Sequence, residues 1–107
     1  MSLLCHGVLA TVHLDSDTPG ARKRGVFDGY HPDHQFEWAD VLTGGLHYYC
    51  DDAEHLPGET ADVMIIFPFW SHFGDRVSVG DKFGIYEGSR LVGTGSVLGF
   101  VETGALP

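Results

Sequence analysis

Glycine occurs fifteen times in these 107 residues and is spread along the chain rather than gathered in one segment. A glycine inside a helix costs about 1 kcal/mol relative to alanine, while at a turn it supplies backbone angles that other residues avoid. The distribution therefore predicts short extended segments joined by tight turns, an all-β class. With 43% hydrophobic and 20% charged residues, the chain carries enough apolar material for one core, so a single domain over 1–107 is expected.

Period-two patterning supports that class. From His6 to Leu14, Val8, Ala10, Val12 and Leu14 share one face while Leu9, Thr11 and His13 share the other. Asp15-Ser16-Asp17-Thr18-Pro19-Gly20 ends this strand with turn-forming residues, and a loop carrying Arg22-Lys23-Arg24 follows. A second strand is expected over Gln35 to Val41, setting Phe36 and Trp38 opposite Glu37 and Ala39. Thr43-Gly44-Gly45 is expected to turn the chain into a short apolar stretch, Leu46 to Tyr49. Beyond the polar segment Cys50 to Thr60, with its Pro57-Gly58 turn, the β-branched run Ala61 to Phe67 reads as the most buried strand. An aromatic connection, Phe69 to Gly74, and a turn at Val79-Gly80-Asp81 lead to a strand over Lys82 to Tyr86. Gly88-Ser89 fits a two-residue hairpin loop, and the last strand, Arg90 to Val101, is bent by Gly93, Gly95 and Gly99. Six strands with a curling last member predict a closed antiparallel barrel.

Fifteen acidic residues against six basic ones leave a formal charge of −9, a field that repels phosphate backbones and argues against nucleic acid as a partner. Half of the basic residues form the single run Arg22-Lys23-Arg24, a local spot suited to one anionic group or one acidic partner surface. No stretch of about 18 apolar residues occurs, and Met1 to Ala10 lacks the basic start of a signal peptide, so a soluble, cytoplasmic protein without membrane contact is expected. Cys5 and Cys50 read as reduced thiols, with a single bridge between them as the alternative.

Four ordered segments carry a family resemblance. The loop Arg22 to Pro32 includes Gly29, Tyr30 and Pro32 and is followed by Phe36, Asp40 and Val41; then come Thr43-Gly44 and Leu56-Pro57-Gly58-Glu59. The fourth runs from Lys82 to Val97 with Phe83, Ile85, Glu87-Gly88, Arg90, Val92-Gly93 and Gly95. Together they resemble the C-terminal, third domain of elongation factor Tu over most of the chain. The resemblance implies a six-stranded antiparallel Greek-key barrel that in the full-length factor packs on a GTPase domain and touches the T-arm of aminoacyl-tRNA. The chain has no Gly-x-x-x-x-Gly-Lys-[Ser/Thr] loop, so GTP binding does not transfer with the fold. At the positions of two family arginines stand His31 and Glu37, and a carboxylate in place of a phosphate-facing cation repels RNA. Arg90 is expected to form a cross-strand ion pair.

His47, Cys50, Asp51 and His55 have the donor types of a borderline metal but no tight ligand spacing, and no metal or other cofactor is expected. His31 and His34 could make a pH-responsive surface or half of a second metal site. Ser71, His72 and Asp75 supply the residue types of a hydrolase without a nucleophile elbow. Trp38, Phe69, Trp70 and Phe73 exceed what a small barrel interior holds, so one or two of them are expected at the surface as interface anchors. The expectation is a non-enzymatic, stand-alone barrel, monomer or dimer, that binds another protein through Arg22, Lys23, Arg24, His31, Glu37 and Trp38. A metal-dependent or hydrolytic protein using the histidine-rich loops, and a translation accessory meeting tRNA or the ribosome, are the alternatives.

Overall fold

A computed structural model describes the backbone of residues 5–103 and the side chains of residues 6–102. Seven strands form one antiparallel sheet: β1 (Cys5–Leu14), β2 (Asp33–Phe36), β3 (Thr43–Gly44), β4 (Leu46–Tyr48), β5 (Thr60–Ile66), β6 (Lys82–Glu87) and β7 (Arg90–Thr103). They run in the order β3-β2-β6-β7-β1-β5-β4, so the two ends of the sheet are neighbours in the chain and the sheet is nearly closed into a barrel.

That seam explains why seven strands appear where six were expected. Tyr30 bridges His47, Asp33 pairs with Gly44 and His34 with Thr43, all in one register. On its other side the same extended segment pairs Leu46 with Ile66 and Tyr48 with Met64. β3 and β4 are thus two halves of one crossing segment, and the turn expected at Thr43-Gly44-Gly45 lies instead over residues 37–42, which cuts the expected Gln35 to Val41 strand short at Phe36. Gly45 makes the crossing possible: a Cβ there would meet Ile65, His34 and Phe67 at 2.8–2.9 Å.

Alternation on β1 and β5 fills the interior, where Val8, Ala10, Val12, Val63 and Ile65 are at most 2% exposed. Phe36, Phe67, Phe83 and Ile85 pack against them, each such side chain contributing about 2 kcal/mol by leaving water. The bends expected in β7 occur as register shifts opposite Leu9/Ala10 and Ile85/Tyr86. Gly95 leaves room into which the Phe83 ring moves, 2.5 Å from where a Cβ would sit. At the β6–β7 hairpin Glu87 pairs with Arg90 across Gly88 (φ 63°) and Ser89.

Because all strands are antiparallel, the loops gather at two poles. Residues 15–32, 49–59 and 88–89 lie at the hairpin pole, while residues 37–42 and 67–81 lie at the aromatic pole. Cys50 at the hairpin pole is a free, exposed thiol, and the side chain of Cys5 falls outside the described residues.

Candidate functional site: an aromatic cleft at one barrel pole

Strand β2 sends Phe36 into the core, and the chain then turns so that Trp38 stacks on it with ring centroids 5.1 Å apart and planes at 12°. Trp38 donates its indole N–H to Asp81 at 2.9 Å, and Asp81 also accepts the backbone N–H of Ser78 at 2.8 Å. The Arg76 guanidinium lies over the Trp38 ring, 4.4 Å from its centroid. The opposite wall grows from two 3₁₀ turns, Trp70–His72 and Gly74–Arg76. Gly74 lets the Trp70 ring lie on the backbone, since a Cβ would sit 2.2 Å from it, and Phe73 packs edge-on against Phe67 at 5.3 Å.

Between these walls opens a cavity of about 600 Å³, within the range of small-molecule and side-chain sites. Phe69 on one side and Val41 and Leu42 on the other remain 60%, 71% and 43% exposed, so the mouth is apolar. Arg76, His72, Asp40 and Thr43 are its polar members. Three of the four aromatics singled out from sequence, Trp38, Trp70 and Phe73, are partly buried against the core, whereas Phe69 is exposed.

The six residues expected to form one contact surface divide between regions. At the hairpin pole Arg22 is bound to Glu87 and to the Gly25 and Arg24 carbonyls. Glu87 further accepts from Tyr30 at 2.5 Å and from Arg90 at 2.7 Å, so Arg90 forms the cross-strand pair expected of it. Burial pushes the Glu87 carboxyl up, but these donors outweigh it and hold it below the usual carboxylate range; burial and Glu87 together raise Tyr30. Lys23 and Arg24 are exposed on the same loop. His31 lies exposed above Gly44, and Glu37 is exposed where its N–H meets the Lys82 carbonyl. Trp38 sits beside Asp81 just before β6 starts and Arg22 beside Glu87 where it ends, a separation of about 20 Å along the strand at its usual rise per residue.

The histidines also separate. His34 and His47 point into the barrel, both 0% exposed, with their Nε2 atoms 2.7 Å apart. The Thr43 carbonyl can only accept, so His34 donates from Nδ1 at 3.1 Å and its Nε2 receives the His47 N–H. His47 Nδ1 is then a buried acceptor without a partner among the described residues. Burial lowers both groups, His34 to about 4 and His47 well below its ordinary value, with His31 adding repulsion. His55 instead stacks under Tyr49 at 3.6 Å and is gripped by Glu59 at 2.6 Å and Asp51 at 2.9 Å. Burial opposes its charge, but the two carboxylates prevail and raise it. His47 therefore stands apart from Cys50, Asp51 and His55, and His34 faces the opposite side of the sheet from His31. Among the described residues no group of three His, Cys, Asp or Glu side chains is placed to hold a metal.

Ser71, His72 and Asp75 are exposed on the 3₁₀ turns, and no described side-chain hydrogen bond joins them. Sequence reasoning missed Arg76, Val41 and Leu42 in the cleft, and Asp81 as the acceptor that holds its Trp38 wall. Their only signal was indirect: they lie in the loops that flank the aromatic run and the Trp38 turn. No protein-family model matches this chain. Among the described residues no helix is long and apolar enough to cross a membrane.

Proposed function

We propose that this domain is a non-catalytic protein-binding module whose recognition surface is the cleft at the aromatic pole, built on a Greek-key barrel similar to the third domain of elongation factor Tu. The observation that carries the binding reading is the apolar mouth formed by Phe69, Val41 and Leu42, held open by a rigid Phe36–Trp38 stack. The topology supports the fold reading: β2, the β3–β4 segment and β5 follow one another as hairpins, and β6 returns to lie beside β2. Counting β3 and β4 as one crossing segment gives the six strands of that family. Glu37 and His31 are exposed on a body of charge −9, which favours a protein partner over the T-arm of a tRNA.

Affinity capture from the source cell's lysate tests the reading. A defined protein is expected to be retained by the wild type and by Lys23→Ala/Arg24→Ala, and lost by Phe69→Ser/Val41→Ser. Equal recovery by all three would sink it, and transfer RNA retained at physiological salt would replace it with the translation reading.

A further inference from the structure

Besides its aromatic walls, the cleft has a strip of open backbone. Among the described residues β3 pairs only with β2, and on its other side the β5 ladder has already ended at Leu46–Ile66. Gly45 donates to Pro32 and His47 donates to Tyr30, so the odd-numbered residues of the crossing segment turn their polar groups toward the β2 side. The pleat then turns those of Gly44 the other way, past the end of β5 and into the cleft that Gly44, Thr43 and Leu42 line. An edge of this kind beside a side-chain pocket is the arrangement that accepts an added strand.

We propose that the β3 edge binds an extended peptide segment of another protein as an additional strand, with one large apolar side chain in the cleft between Trp38 and Phe69 and with Lys or Arg residues flanking it. This rests on the protein-binding reading of the cleft and specifies its partner. Charge complementarity selects the basic flanks. Asp40 at the cleft and Asp75 on the second 3₁₀ turn are exposed and take part in no described ion pair, and the body as a whole carries −9. Arg76 lines the cleft too and keeps its charge over the Trp38 ring, so the segment's cations are expected on the Asp40 side.

The probe is an acetylated, amidated heptapeptide, Lys-Val-Lys-Phe-Lys-Val-Lys, titrated into the wild-type domain and followed by Trp fluorescence and by the Gly44 amide resonance. Replacing the central Phe by Ala is expected to weaken binding at least tenfold, and replacing the lysines by glutamates at least tenfold at low salt. Two N-methylated peptides, one carrying methyl groups at the even amides and one at the odd amides, separate strand addition from pocket filling. One of them is expected to lose binding at least tenfold while the other keeps it, because alternate amides of a strand face its neighbour. Retention by both, or loss by both, overturns the added strand while Phe dependence leaves the pocket reading standing. Failure of the parent peptide to bind overturns both. A wild-type dimer in sedimentation that disperses with Phe69→Ser would put a second copy of this chain on the edge and overturn the foreign segment.

Discussion

The two poles of the barrel handle their surface chemistry in opposite ways. At the hairpin pole, Glu87 gathers Arg22, Arg90 and Tyr30, Asp28 accepts the backbone N–H groups of Tyr49 and Cys50, and His55 lies between two carboxylates. At the aromatic pole the polar groups serve to position one indole, and Phe69, Val41 and Leu42 are left against water. Long loops that would otherwise fray are tied down at the first pole, while at the second the apolar surface has nothing of the described chain to cover it. The difference teaches where stability and recognition would separate: Arg22 of the charged run is held by Glu87, and the residues proposed to meet a partner lie at the far end.

Among single substitutions the largest expected effect is Glu87→Ala. It takes the carboxylate acceptor from two guanidinium groups and a half-buried phenol, and a loss of about 2–3 kcal/mol in urea denaturation is expected with peptide binding at the other pole intact. A loss under about 0.5 kcal/mol would mean that the hairpin pole is not clasped, and the contrast between the poles would fail.

Next comes acid. In the unfolded chain His34 and His47 take protons near 6.5, whereas in the barrel they stay neutral, His34 down to about 4. The unfolded state therefore binds more protons within that window, so stability is full above it and falls as pH drops from 6.5 toward 4, by about 3 kcal/mol for His34 alone. The double variant His34→Leu/His47→Leu is expected to flatten the dependence of Tm on pH over that range; an unchanged slope would remove the buried pair as its source. His55 has the opposite sign. Its folded value is raised, so its contribution is present below the unfolded value and lost as pH rises through the raised one, and His55→Gln is expected to abolish a shallower alkaline decline in Tm.

Parts of this contrast were legible in sequence because their physics is local. The alternation in β1, the apolar run of β5 and the Gly88-Ser89 loop each follow from neighbours in the chain. Gly45 was read as part of a turn, since sequence alone does not show that two strands flank it and that Ile65 and Phe67 lie beneath it. The clasp joins Arg22 to Glu87 across 65 positions, and Trp38 meets Asp81 across 43, so neither pairing had a local signal. For the histidines a hint existed: His34 shares the parity of buried Phe36 in β2, which places it inward before any partner is known.

The smallest effect on stability is expected where the effect on binding is greatest. Phe69 is 60% exposed and its ring touches only His72 among the described aromatic contacts, at 5.7 Å, so Phe69→Ser removes little buried area and should change folding free energy by less than about 0.5 kcal/mol. Trp38→Ala differs, because it strips the stack from Phe36, frees Asp81 and unseats Arg76, and there a loss of binding would be confounded with damage to the wall. Denaturation and peptide titration on Phe69→Ser, set beside Glu87→Ala, complete the comparison: one variant should fold like the wild type and fail to bind, the other should bind like the wild type and unfold early. If Phe69→Ser bound normally, the apolar mouth would be a surface without a partner and recognition would have to be sought elsewhere on the barrel.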